Sequence, residues 1–248
     1  MKLYISPCPN DTFMFDAIVN KRIPLRGFDF EVEYHDIEQL NERALRGEAE
    51  FTKLSCALLS EVADRYSVSD SGAALGRGNG PLFVRRKGDR TPIESVAIPG
   101  VHTTANKLII KLFPQYKDRQ EMLFSEIADA VESGKVDAGV LIHEGRFLYR
   151  ERNLELIADL GLEWERATGQ PLPLGAIAMR RDLSMERQRE FQKLLRESIE
   201  YAFANPSASR GYIKQHAQEM ADEVITKHIA LFVNEYSLSL GSIDISKF

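Results

Sequence analysis

Strand-like runs alternate with helical ones from the first residues of this chain, and that alternation constrains the fold more than any other feature. Lys2–Ser6 reads as a strand and Thr12–Asn20 as a helix. Asp29–Tyr34 alternates with period two, and Ile37–Arg46 is helical up to a stop at Gly47. Phe51–Ser55 and Cys56–Tyr66 repeat the pair, and a glycine-rich loop over 76–81 leads into the strand Leu82–Arg86. The pattern begins again from Thr91. Ser95–Pro99 and Ala138–Ile142 read as strands, Thr103–Phe113 and Ser125–Ser133 as helices, and Gly169–Pro173 introduces a strand at Leu174–Arg181. Only helices follow: Ser184–Ala204, then shorter ones near Ala208–Gln218 and Asp222–Asn234. Successive strand–helix pairs of this kind build an α/β fold with a mostly parallel sheet.

A short internal repeat divides the chain. The segments 47–54 (Gly-Glu-Ala-Glu-Phe-Thr-Lys-Leu) and 134–141 (Gly-Lys-Val-Asp-Ala-Gly-Val-Leu) share the glycine, an acid three residues on and the final leucine. Each follows an amphipathic helix and ends a strand. The repeat predicts two α/β lobes built alike, residues 1–88 with 176–248 forming the first and 89–175 the second, inserted one. The chain would cross between them near Leu82–Arg86 and Leu174–Arg181, with the ligand cleft between the lobes and the helical tail packed back on the first.

A chain of 248 residues with 44% hydrophobic content can bury the core such a fold needs. A net charge of -5 argues against nucleic acid as the main partner. No apolar run approaches the ~20 residues that span a bilayer, and the N-terminus opens on a strand pattern without the apolar region of a signal peptide. The expectation is a cytoplasmic protein with reduced thiols and no membrane insertion. Cys8 and Cys56 match no disulfide framework and no zinc spacing, and no His-Glu-x-x-His or paired histidines point to a metal. Oligomeric state leaves no mark on the sequence.

Three stretches carry chemistry. In Ser6-Pro7-Cys8-Pro9-Asn10-Asp11-Thr12-Phe13, two prolines turn the chain and withhold two N–H donors. Asn10 or Asp11 would then cap the following helix. The elbow stands where open α/β sheets bind ligands, although a well-capped turn explains it equally. Cys8 reads either as a nucleophile or as a small buried filler. The second stretch, Gly100 to Asn106, brings Thr103 and Thr104 to a helix start, whose partial positive charge suits a carboxylate or phosphate. The third places His143 just after the buried-type strand 139–142, where an imidazole could transfer a proton or serve as a structural hydrogen-bonder. His35, His216 and His228 read as surface residues. The glycines at 76, 78 and 80 lack a following Gly-Lys-Ser/Thr, so they fit a flexible crossing better than a phosphate loop.

The opening Ser-Pro-Cys-Pro-Asn-Asp-Thr-Phe-Met-Phe resembles that of the 1,4-dihydroxy-6-naphthoate synthases of the futalosine route to menaquinone. The similarity continues through Lys53-Leu54-Ser55, Gly78-Asn79-Gly80-Pro81-Leu82, Thr103-Thr104-Ala105-Asn106 and Leu141-Ile142-His143-Glu144-Gly145; Asn79 departs from the small residue or cysteine expected there. The resemblance implies a type II periplasmic-binding-protein-like fold used as a cytoplasmic lyase, its small carboxylate substrate, cyclic de-hypoxanthinylfutalosine, held between the lobes. No cofactor and no metal are implied. His143 would be the general base. Thr103, Thr104, Ala105 and Asn106 would hold the ring carboxylate, while Ser6, Asn10, Lys53, Ser55 and Gly80 would bind the rest, the sugar hydroxyls included. Two alternatives share the fold: a non-catalytic small-carboxylate binding protein and the sister chorismate dehydratase, which lacks this opening.

Overall fold

The computed structural model describes residues 1–217, 220–245 and 248. The chain forms β1 (Lys2–Ile5), α1 (Pro9–Val19), β2 (Glu31–Tyr34), α2 (Ile37–Leu45), β3 (Phe51–Ser55), β4 (Tyr66–Val68), β5 (Ala74–Gly76) and β6 (Leu82–Arg86). Then come β7 (Ser95–Ile98), α3 (Thr104–Leu112), β8 (Asp118–Glu121), α4 (Ile127–Glu132), β9 (Ala138–Leu141), α5 (Gly145–Leu148), β10 (Leu154–Asp159) and α6 (Leu160–Thr168). The long β11 (Leu172–Arg180) precedes α7 (Met185–Ala204), α8 (Arg210–His216), α9 (Asp222–Phe232) and α10 (Glu235–Leu238). Two compact units result, Met1–Leu75 with Pro173–Phe248, and Gly76–Leu172.

The first unit is built on a mixed sheet of order β2-β1-β3-β11-β4, with β5 added against β11. β1 runs parallel to both β2 and β3, and β11 antiparallel to β3. Period-two alternation sorts its side chains. Leu3, Ile5, Phe51, Ile177 and Met179 join Phe13, Met14, Phe15 and Ile18 of α1 and Phe191, Leu194, Leu195 and Ile199 of α7 in one core. Leu54, Ala176 and Ala178 meet Ala44 of α2, Leu58 and Val62, with Leu240 and Ile245 from the end of the chain, in another. Phe51 and Phe191 stack at 3.8 Å between ring centroids, tying α7 to the sheet.

The second unit has the order β10-β6-β9-β7-β8. β7 is parallel to β8 and β9, whereas β6 runs antiparallel to β9 and β10. Leu82, Val84, Ala97 and Leu141 pack under Ile127 and Val131 of α4, and Phe83 lies against Phe113 and Tyr116. The loops after β7, β8 and β9 therefore leave from one sheet edge, as those after β1, β2 and β3 do in the first unit.

Several elements depart from the sequence expectation. The units divide at Leu75/Gly76 and Leu172/Pro173, not at 88 and 175, because β6 is an inner strand of the second sheet, paired on both sides. The helix expected over Cys56–Tyr66 is a single 3₁₀ turn, Cys56–Leu58, followed by turns and β4. Its apolar spacing reflects the burial of Leu58, Leu59 and Val62. β8, β10 and α6 escape the pattern, β8 because its Asp-Arg-Gln-Glu is a polar edge strand. The helix expected to Gln218 ends at His216, and Gln218 lies outside the described residues.

Candidate functional site

Polar residues gather at the strand ends of each unit. In the first, Pro9 occupies the first turn of α1 with its φ already fixed, so the helix begins three residues earlier than expected. Cys8 takes the cap position, but its side chain does not cap the helix, and neither Asn10 nor Asp11 does so. Asp11 instead turns its fully buried carboxylate back towards the end of β1. Ser6 donates to Oδ2 through its N–H (3.2 Å) and Oγ (2.7 Å), Asn10 Nδ2 donates to Oδ1 (2.9 Å), and Lys53 Nζ completes an ion pair with Oδ1 at 2.6 Å. Lys53 reaches this point because β11 carries Gly175, where a Cβ would stand 2.9 Å from Lys53 Cε. One residue beyond Leu54, Ser55 is gripped by Asn41 of α2. Asn41 Oδ1 accepts from Ser55 N–H (2.9 Å) and Nδ2 donates to Ser55 Oγ (3.0 Å).

In the second unit, Thr103 caps α3. Its Oγ1 accepts from Asn106 N–H (3.2 Å) and donates to the Gly100 carbonyl (2.7 Å). Thr104, Ala105 and Asn106 form the buried first turn. Asn106 Nδ2 donates to the Val101 carbonyl at 2.7 Å, which leaves its buried Oδ1 with no partner among the described residues. His143 follows β9 with φ at 50°, a left-handed conformation uncommon for a side-chain-bearing residue, although histidine is among those that adopt it. Its ring meets Phe124 edge-on at 4.9 Å. Burial pushes the Glu144 carboxyl pKa up, and its buried Oε2 also lacks a partner among the described residues.

The glycine-rich loop is pinned rather than flexible. Gly78 N–H donates to Glu165 (2.8 Å), and Arg146 joins the Gly80 carbonyl (2.6 Å) to Asp159 (2.7 Å), the cap of α6. A Cβ on Gly80 would come within 2.6 Å of Gly161 N, so only glycine permits this approach. Gly80 therefore belongs to the second unit, not to the first with Ser6, Asn10 and Ser55. Three histidines expected at the surface are partly or wholly inside. His228 is only 1% exposed, on the apolar stripe of Ile225 and Phe232. The His216 ring lies 4.1 Å from that of Tyr34, with its pKa pushed down by burial, and His35 meets the edge of Tyr4.

The structure thus brings Ser6, Asn10 and Lys53 together around Asp11, and seats Ser55 on Asn41. Thr103 to Asn106 stand in one turn of the second unit, with His143 at the same edge of its sheet. Asp11 and Asn41 were missed as site residues. Asn41 had a signal: with Ile37, Leu40 and Ala44 it shares the i, i+3, i+4, i+7 stripe that faces the core, where an amide is out of place. Among the described residues no group of three or more His, Cys, Asp or Glu could hold a metal ion. None of the helices described is long and apolar enough to cross a membrane.

The family model for menaquinone biosynthesis matches residues 1–246. The chain belongs to this menaquinone-biosynthesis family. Two relatives carry the name 1,4-dihydroxy-6-naphtoate synthase. The Thermus thermophilus protein is 44% identical over 97% of this chain and 88% of its own length, and the Streptomyces coelicolor protein 41% identical over 97% and 87%. A solved structure from Archaeoglobus fulgidus superposes with a TM-score of 0.90 at 34% identity, covering 97% of this chain and 91% of that one. A Candida albicans protein with the generic periplasmic-binding-protein fold superposes at 0.65 and 13% identity, over 95% and 82%, which speaks for the fold alone. The menaquinone-biosynthesis chain therefore has a periplasmic-binding-protein-like α/β fold. The strand order β2-β1-β3-β11-β4, with its antiparallel return strand, is the form that fold takes here.

Proposed function

We propose that this chain is a 1,4-dihydroxy-6-naphthoate synthase, a cytoplasmic carbon–carbon lyase acting on cyclic de-hypoxanthinylfutalosine. Membership of the family over residues 1–246 supports the reading, and the observation that carries it to a mechanism is His143 at the end of β9. A left-handed histidine is held there against Phe124, at the edge from which the α3 cap also rises. Strained backbone of this kind persists where the surroundings over-determine it, and it clusters at functional sites.

The neutral imidazole takes a proton from the substrate. The electron pair left behind forms a ring double bond as the carbon–carbon bond to the sugar-derived fragment breaks. The fragment departs with that bond's electron pair and takes the proton back from the imidazolium, and the ring becomes aromatic. That gain drives the step without an external oxidant. The first turn of α3, with Thr103 already spent on capping, offers the Thr104 hydroxyl and the helix's partial positive charge to the ring carboxylate. Ser6, Asn10, Lys53 and Ser55 take the sugar-derived portion.

The test is to incubate the protein separately with cyclic de-hypoxanthinylfutalosine and with chorismate and to analyse the products. Release of 1,4-dihydroxy-6-naphthoate from the first is expected. Conversion of chorismate alone would assign the sister dehydratase activity. Binding of either without turnover would make the chain a small-carboxylate binding protein.

A further inference from the structure

The two serines at the strand ends of the first unit are held with opposite hydrogen-bond polarity, and the residue that sets one of them is Asn41. The Ser55 N–H can only donate, so the Asn41 atom 2.9 Å away is the carbonyl oxygen. The other end of the amide is then Nδ2, which must donate to Ser55 Oγ at 3.0 Å. The amide's orientation is thus fixed by the backbone. A serine hydroxyl has one proton. With a lone pair engaged by Asn41, the Ser55 proton finds no acceptor among the described residues, at a side chain 2% exposed. Ser6 is the reverse case: its Oγ gives its proton to the Asp11 carboxylate, accepts from the Cys8 N–H at 3.4 Å and keeps a lone pair to offer.

We infer that Asn41 is a positioning residue that fixes Ser55 as a hydrogen-bond donor to an acceptor oxygen on the ligand. Asn41 is fully buried on α2, and Glu38 Oε2 accepts from the same Nδ2 at 3.3 Å, which braces the amide. A buried amide on a core-facing stripe is retained against an apolar alternative only where its hydrogen bonds are needed. Here they preset the donor before a ligand arrives, so the ligand does not have to reorganise it.

The inference rests on Ser55 touching the substrate of the proposed reaction, and a double-mutant cycle separates the two ideas. S55A removes the donor and should raise KM about 3–10-fold, the range of a single neutral hydrogen bond, with kcat within about twofold. N41D keeps the shape but offers Ser55 an acceptor, so the hydroxyl turns inward; KM should rise by a similar factor. In the S55A background N41D should add nothing. If S55A raises KM while N41D leaves it near the wild-type value, or if the two effects simply add, the polarity assignment is overturned. If S55A itself leaves KM unchanged, the substrate contact is removed and the inference falls with it, whatever the product assay shows. Should N41D unfold because its carboxylate faces Glu38, the same cycle is run with E38Q/N41D against E38Q, with thermal melts confirming the fold.

Discussion

The polar clusters of the two units differ in how completely they satisfy themselves. Around Asp11 in the first unit, the carboxylate has partners on both oxygens: Ser6 twice, Asn10 and Lys53. Asn41 meets both the N–H and the hydroxyl oxygen of Ser55, so that only the Ser55 hydroxyl proton is left to a ligand. In the second unit Asn79 Oδ1, Asn106 Oδ1 and Glu144 Oε2 are buried acceptors with no partner among the described residues. A buried acceptor left unpaired costs about 1–3 kcal/mol, so these groups destabilise the second unit and are ready for donors that a ligand brings. The first cluster braces its unit and the second waits. Substitutions at the Asp11–Lys53 pair should therefore register first in stability, whereas those in the second unit, like S55A, should register mainly in binding and turnover.

The sharpest way to break that contrast is His143. A general base contributes typically ~10²–10⁴-fold, and H143N should lower kcat by about that factor with little change in KM. Asparagine also accepts a left-handed backbone, so the variant should melt close to the wild type. The wild-type kcat should fall as acid protonates the imidazole, and H143N should lose that acid limb. A variant that fails to fold would move His143 to the structural side of the comparison. One that folds and turns over normally would place the base elsewhere.

Next in size is the Asp11–Lys53 pair. Removing one partner of a buried ion pair costs about 3–5 kcal/mol, because the other charge is left uncompensated. K53M should therefore strongly destabilise the protein in denaturant titrations, and D11N/K53M, which removes both charges, should recover much of the loss. A raised KM beside the lost stability fits the contact with the substrate proposed for Lys53, whereas a K53M protein of unchanged stability would show that Lys53 braces nothing.

How much of this was legible in the sequence follows from the same physics. The strand–helix alternation, the α3 cap at Thr103 and the motif residues could be read because each rests on a local pattern. What could not be read depended on partners far along the chain. Asp11 lies next to a helix start and reads as a cap, whereas Ser6 and Lys53, the latter 42 residues away, hold it turned inward. The loop at Gly78 and Gly80 reads as flexible until Glu165, Arg146 and Gly161 pin it. The boundary expected at 88 failed because a crossing strand and an inner strand carry the same apolar run, and only the pairing of β6 with β9 and β10 tells them apart.

A smaller effect is expected at Thr104. T104V keeps the shape and deletes the hydroxyl. If that hydroxyl bonds the substrate carboxylate, binding should weaken by about 1.5–3 kcal/mol, as for hydrogen bonds to charged groups, and appear as a raised KM at nearly constant kcat. Thermal stability should hardly move, in contrast to K53M. An unchanged KM would remove Thr104 from the site.

The smallest effect tests whether the second cluster really carries an unmet cost. Burial raises the Glu144 carboxyl pKa above its ordinary value near 4.5. The folded state thus holds this proton more tightly than the unfolded state does. Glu144's contribution to stability is full below the unfolded pKa and is lost as pH rises through the folded one. Above that window a desolvated carboxylate is carried at a cost. E144Q keeps the shape and cannot ionise, so it should melt higher than the wild type at neutral pH, and the gap should close as the medium is acidified below 4.5. The shift should be no more than a few degrees, since 1 kcal/mol moves Tm by about 2–4 °C at this size. If the wild type and E144Q differ by the same amount at every pH, Glu144 finds its proton or its partner equally in both states. The claim that the second unit stores unsatisfied acceptors would then rest on Asn79 and Asn106 alone, where N106L should weaken substrate binding with little net change in stability, since it relieves Oδ1 but gives up the bond to the Val101 carbonyl.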